Sequence, residues 1–175
     1  IVGRSATRGA AAADAVRSKV PSAQVDVFEA DLSAQAEVRR LAAEVKATYS
    51  RLDVLVNNVG GYWAHRHVTV DGLEHTFALN HLAPFLLTRE LHDLLVASAP
   101  ARAVTVSSGA QAMGRIDLDD LQGERSYNGQ RAYNQSKLAN VLFTYELARR
   151  LEGTGVTANV LHPGVVRTSF GHEDS

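Results

Sequence analysis

The residues with the clearest capacity for chemistry are Tyr133-Asn134-Gln135-Ser136-Lys137. On a helix, Tyr133 and Lys137 at i and i+4 share one face about 6 Å apart. A cation held there favours the tyrosinate form, which suits a proton donor and acceptor working near neutral pH. Taken alone, such a pair is more often an amphipathic helix with a solvated lysine, because the spacing is common by chance. Its meaning therefore depends on what the rest of the chain brings to it.

The elements that must position these residues alternate in type. Short apolar, β-branched runs at residues 25–28, 53–57, 103–107 and 156–161 read as strands, and their near-continuous apolar character suits strands buried on both faces of a parallel sheet. Helical patterns lie between them. After Ser33, a plausible N-cap, Val38, Leu41, Ala42 and Val45 form one apolar stripe. Residues 10–20 read as a helix stopped at Pro21, and Pro84 should kink or start the main helix of residues 73–96. A further helix over 132–151 meets Gly153 and Gly155 as C-cap candidates. This order predicts a doubly wound, Rossmann-type α/β domain with a parallel sheet between helix layers, a three-layer α/β/α arrangement. Ligands of such folds sit beyond the carboxyl ends of the strands, which here carry Arg4, Asp31, residues 57–60, Ser107, Ser108 and residues 162–164.

The chain has 175 residues, 45% of them hydrophobic and 21% charged, enough for one folded domain and unlike a disordered tail. Lys+Arg 18 against Asp+Glu 19 leaves a net charge of −1, with no basic excess to suggest nucleic acid or an anionic membrane. With Cys 0, thiolate metal sites, disulfides and cysteine nucleophiles are excluded. No apolar run reaches the roughly 18 residues of a membrane helix, and the expected location is cytoplasmic.

Taken in order, Asp31-Leu32, Asn57-Asn58-Val59-Gly60, Asn80, Ser107-Ser108, Tyr133 with Lys137, and Pro163-Gly164 with Thr168 resemble the motifs of the short-chain dehydrogenase/reductase family. The run Lys137-Leu138-Ala139-Asn140-Val141-Leu142-Phe143 and the segment 114–122 resemble its retinol-dehydrogenase-like branch, in which the catalytic serine is the second of the pair. That serine is Ser108, 25 positions before Tyr133. The resemblance implies an alcohol/carbonyl oxidoreductase for a small, apolar substrate. In it Tyr133 is the general acid/base, Ser108 supports the reacting oxygen, Lys137 supports the tyrosine and grips the nicotinamide ribose, and Asn80 holds a water. The alternative is a non-catalytic, NADP-binding regulatory protein of the same fold, against which the full set of four residues stands.

For the cofactor, the resemblance places Arg4 beside the adenosine ribose, where a guanidinium suits a 2′-phosphate; NADP is expected in preference to NAD, and Arg8 could assist. Asp31 and Leu32 flank the adenine, Asn57 and Gly60 form a close backbone approach, and Pro163, Gly164 and Thr168 meet the nicotinamide. Val59 stands where the family usually has alanine. Two copies or four are expected to associate through the helices around Asn80 and Lys137. His65-x-His67 lacks a carboxylate pattern for a metal site, and the loop 61–67 is expected to border the substrate with Tyr62 and Trp63. His75, His81, His92 and His162 read by default as satisfied or exposed, and Asp117, Asp119 and Asp120 as a solvated turn.

The family's phosphate-cradling glycine motif does not occur, and Gly3 and Gly9 do not match it. The chain therefore reads as a single, incomplete domain, an internal part of an enzyme of about 270 to 320 residues, binding cofactor poorly alone. Without the central first strand, the family's second and fourth strands would face each other across a gap.

Overall fold

The computed structural model describes residues 1–166. Strands β1 (Val2–Gly3) and β2 (Phe28–Glu29) pair in parallel, and β3 (Val54–Asn57), β4 (Ala101–Val106) and β5 (Val156–Leu161) form a second parallel sheet in the order β3-β4-β5. Helices α1 (Ala6–Lys19), α2 (Gln35–Thr48), α3 (His75–Phe77), α4 (Ala83–Glu90), α5 (His92–Ala97) and α6 (Gly129–Arg150) connect them. This is the doubly wound α/β pattern, with parallel strands flanked by helices. The expected opening between the sheets is present as a cavity of about 830 Å³, lined by Val2, Val54 and Val56.

Several expectations shift in detail. Residues 25–27 lie before β2, because the ladder begins where Phe28 N–H reaches the carbonyl of Ile1 at 2.8 Å. Helix α1 starts earlier than expected, at a Ser5 N-cap whose hydroxyl accepts Arg8 N–H at 3.3 Å. Gly9 lets this helix approach β2, since a Cβ there would lie 2.3 Å from Val27 Cγ1. Ser33 does not cap α2: Ala34 occupies the cap, Asp71 accepts Gln35 N–H at 2.8 Å from a distant loop, and Ser33 turns back to Asp31. Gly153 and Gly155 adopt positive φ in the turn beyond the helix end at Leu151, so they redirect the chain toward β5 rather than cap α6.

The α2 stripe of Val38, Leu41 and Ala42 is buried against Leu86, Leu87 and Leu91 of the α4 region, with Val45 partly buried beside them. The β3–β5 sheet, in contrast, is not buried on both faces. Val54 and Val56 are 50% and 57% exposed while Leu55 between them is buried, because α1 packs on β1 and β2 and leaves this face uncovered among the described residues. Among those residues no helix is long and apolar enough to cross a membrane.

Pro84 starts α4, as its position allows, and has a second effect. Residues Ala78–Leu82 form a π turn, closed by Ala83 N–H on Ala78 O. Proline has no N–H to return to the carbonyl four residues back, so the Asn80 carbonyl is left for another donor.

Candidate active site

Helix α6 is capped at Asn128, whose side chain accepts Arg131 N–H at 2.9 Å. Its first residue is seated tightly: a Cβ at Gly129 would lie 2.3 Å from the carbonyl oxygen of Trp63. The face turned inward is polar where a core helix would be apolar. Ser136, Lys137, Asn140 and Thr144 are all buried, with Tyr133 half-buried at its edge.

Lys137 is 5% exposed and its Nζ donates to the carbonyl of Val106 at 3.2 Å, at the end of β4. Burial of the ammonium pushes its pKa down to about 8. The same Nζ lies 5.7 Å from the centre of the Tyr133 ring, so the helical spacing read from the sequence does bring the pair together.

Two serines leave the end of β4 with different fates. Ser107 is buried, and its hydroxyl donates to the Lys137 carbonyl at 2.8 Å. Ser108 is half-buried, in extended backbone, and its Oγ accepts Ala110 N–H at 3.2 Å as the cap of a 3-10 turn, Gly109–Met113. This turn packs on α6, with Gly114 so close that a Cβ there would sit 2.8 Å from Leu138 Cβ.

Asn80 is fully buried in the π turn. Its Oδ1 accepts Gly61 N–H at 2.9 Å, and its Nδ2 donates to Gly61 O at 3.0 Å and to Ser136 Oγ at 3.1 Å. Asn140 Nδ2 donates to the Asn80 carbonyl freed by Pro84, at 2.8 Å. Both side-chain N–H groups are thus spent, and the side chain locks residues 60–61 onto α6. Gly60 is the point of closest approach, where a Cβ would lie 3.2 Å from Lys137 Nζ and 3.3 Å from Asn80 Oδ1.

At the other end of the cleft the groups are more open. Arg4 and Asp31 are exposed and share a hollow with Glu37 and Arg40. Partial burial works to raise the Asp31 carboxyl, but the Ser33 backbone N–H and hydroxyl, with Arg4 and His75 nearby, outweigh it and hold the group below its ordinary value. Leu32 is half-buried against the core and lines the cavity. Asn57 lines the cavity, and its side chain donates to Thr88 Oγ1 at 2.9 Å and anchors β3 to α4. Pro163 and Gly164 are exposed beyond β5, and Thr168 lies outside the described residues.

Tyr62 makes an edge contact with Tyr133, ring centres 6.1 Å apart. The Trp63 indole is buried, 4.4 Å from the ring of His75, and Trp63 also lines the large cavity. His75 is only partly shielded overall, yet its Nε2 is buried without a hydrogen-bond partner, which differs from a satisfied histidine. Asp120 organises its turn, accepting the backbone N–H groups of Glu124, Arg125 and Ser126. No cluster of metal-ligating side chains occurs among the described residues.

The sequence reading passed over Ser136, Asn140 and Gln135. Gln135 is buried, with its Oε1 accepting Asp117 N–H at 2.9 Å and its Nε2 donating to Leu121 O at 3.2 Å, tying the loop before α6 to the helix. The available signal was the polar stripe Tyr133, Lys137, Asn140, Thr144 along one helical face.

Comparison with known proteins gives the same direction. The description "short chain dehydrogenase" matches residues 1–175. Retinol dehydrogenase 14 of Mus musculus is 52% identical over 148 residues, 85% of this chain and 44% of that protein. Retinol dehydrogenase 13 of Homo sapiens is 48% identical over 162 residues, 92% of this chain and 49% of that protein. The chain therefore spans about half the length of the curated relatives it matches. A crystal structure of an uncharacterised protein from Mycobacterium paratuberculosis superposes with a TM-score of 0.79 at 42% identity, covering 95% of this chain and 59% of that one. The Pseudomonas aeruginosa RhlG/NADP active-site complex does so at 0.74 and 31% identity, covering 97% and 63%.

Proposed function

Because the chain is a member of the short chain dehydrogenase family, we propose that the protein is an NADP-dependent oxidoreductase interconverting an alcohol and a carbonyl on a small, apolar substrate. The observation that carries this reading is the buried Lys137, held on the Val106 carbonyl beneath the Tyr133 ring at the strand end where Ser108 emerges.

Tyr133 gives its proton to the carbonyl oxygen during reduction and takes one from the alcohol during oxidation. Ser108 donates a hydrogen bond to the same oxygen and stabilises the charge that develops on it. Lys137 sets the electrostatics of Tyr133 and offers N–H donors to the ribose hydroxyls. Asn80 keeps Gly60 and Gly61 clear of that space by holding the loop on α6.

The residues present fit a nicotinamide dinucleotide. The missing side chain of Gly60 leaves room over Lys137 Nζ, and a cavity lined by Arg4, Leu32, Asn57, Val59 and Gly60 leads to it. When bound, the dinucleotide supplies the hydride. Arg4 supports NADP over NAD through its charge toward a 2′-phosphate. Two similar structures described as complexes with NADP, from Pseudomonas aeruginosa and Burkholderia cenocepacia, support the same choice. The names of the retinol dehydrogenase relatives support an apolar alcohol.

The test is to express the full-length protein, follow NADPH absorbance with a panel of aldehydes and ketones, and repeat with Tyr133→Phe. Turnover should fall by about 10³-fold in the variant. A wild type inactive across the panel would favour a non-catalytic NADP-binding protein; unchanged turnover in the variant would remove Tyr133 from the mechanism.

A further inference from the structure

β4 and β5 run in parallel register to Val106 and Leu161, and the ladder continues as Ser107 N–H donates to the Leu161 carbonyl at 2.8 Å. The next rung of a parallel ladder would carry Gly109 N–H to the carbonyl of Pro163. It goes instead to a side chain: Gly109 N–H donates to Nδ1 of His162 at 3.0 Å. The imidazole also fills the space a side chain at position 109 would take, for a Cβ there would lie 3.2 Å from Nε2 and 3.5 Å from Cε1.

Ser108 thus sits between two anchored amides, with Ser107 tied to the β5 backbone and Gly109 tied to His162. We infer that His162 is a positioning residue for Ser108, standing in for the backbone acceptor that β5 no longer supplies and so fixing the turn from which the Ser108 hydroxyl projects. As an acceptor at Nδ1, the ring must be neutral with its proton on Nε2. Because His162 is exposed, its effect falls on local geometry rather than on global stability. A displacement of about 1 Å in a catalytic group is enough to cost about 10²-fold in rate.

This inference rests on the oxidoreductase reading, and its test separates the two. In the full-length protein, His162→Leu removes the acceptor, whereas His162→Asn places Oδ1 close to the position of Nδ1. Expected are a kcat lower by about 10- to 100-fold in His162→Leu with the cofactor KM within about 2-fold of wild type, and a kcat within about 3-fold of wild type in His162→Asn. Both variants should melt within about 3 °C of wild type. A second readout is amide exchange of Gly109 in glycine-labelled protein, which should quicken by about 10-fold or more in His162→Leu and stay slow in His162→Asn. Full kcat in His162→Leu, equal losses in both variants, or unchanged Gly109 exchange in His162→Leu would each overturn the assignment. An inactive wild type would defeat the oxidoreductase reading, and the Gly109 exchange rates would still decide whether His162 holds the turn.

Discussion

The two ends of the cleft are built differently. At the Tyr133 end, Asn80, Ser136, Lys137 and Asn140 are buried at 5% exposure or less, and their amide and hydroxyl groups bond to one another and to Gly61. At the Arg4 end, beside a two-residue ladder, Arg4 and Asp31 are exposed, and the Arg40 side chain pairs with Glu37 and Glu44 at the surface. On the proposed function the contrast follows what each end would have to do. A group that moves a proton must already be in place, since reorganisation adds to the barrier; a group that selects a phosphate by charge works from a flexible side chain at the surface.

If that contrast is real, breaking the buried network should cost the most. Asn80→Leu keeps the branched shape but leaves Gly61 N–H and Gly61 O without their partner and takes a donor from Ser136 Oγ, which keeps its own bond to the Tyr133 carbonyl. At about 1–3 kcal/mol for each buried orphan, partly relieved by water, urea unfolding should show a loss of about 3–5 kcal/mol. A loss below about 1 kcal/mol would mean that the network is not what holds this end rigid.

Lys137 tests the same wall with the opposite sign. Its pKa is lowered from 10.5 to about 8 by burial, so the folded state releases the proton before the unfolded state does. Below pH 8 the full penalty of burying the charge is present. Stability then rises with pH through the interval up to 10.5, by about 3 kcal/mol. In Lys137→Met this rise should vanish, and at pH 7 the variant should be more stable by about 1–2 kcal/mol, after allowing for the donor lost at the Val106 carbonyl. Activity should be lost at the same time. Unfolding curves that rise equally with pH in both proteins would show that Lys137 is not the group responsible.

The open end predicts the reverse pattern, a change in recognition without a change in stability. Arg4→Ala should raise the KM for NADPH by about 10-fold, leave that for NADH within about 2-fold, and alter unfolding by less than about 0.5 kcal/mol. Equal losses for both cofactors would place Arg4 away from the 2′-phosphate.

How far these two ends were legible in the sequence follows the same division. The helix pairing of Tyr133 with Lys137, the α2 stripe and the alternation of strands with helices follow from local periodicity, which residue types display directly; the β3-β4-β5 order follows only through the doubly wound pattern that this alternation implies. The cap at Ala34 could not be read, because its work is done by Asp71 in a distant loop. Nor could the role of Asn80, which depends on Gly61 meeting the π turn and on Pro84 withholding an N–H from the Asn80 carbonyl. The half-exposed faces of Val54 and Val56 show a further limit: an apolar strand run reports what the residues favour, while burial depends on which helices lie over them.

Gly60 belongs to both ends, and it gives the smallest and sharpest test. Its φ is not positive, so alanine would meet no backbone strain there. The added methyl would instead crowd Lys137 Nζ at 3.2 Å and Asn80 Oδ1 at 3.3 Å, atoms that the buried network prevents from moving away freely. The lower entropy of the unfolded chain offsets part of that crowding, by about 0.4–1 kcal/mol, so stability should change by less than about 1 kcal/mol in either direction. The cost should appear in function, because the methyl fills the space proposed for the ribose over Lys137. A KM for NADPH raised by about 5-fold would be about 1 kcal/mol of binding lost. If Gly60→Ala loses stability like Asn80→Leu and keeps its KM, the glycine serves the packing of the wall; if it keeps stability and loses KM, the glycine is the place where the rigid end meets the ligand.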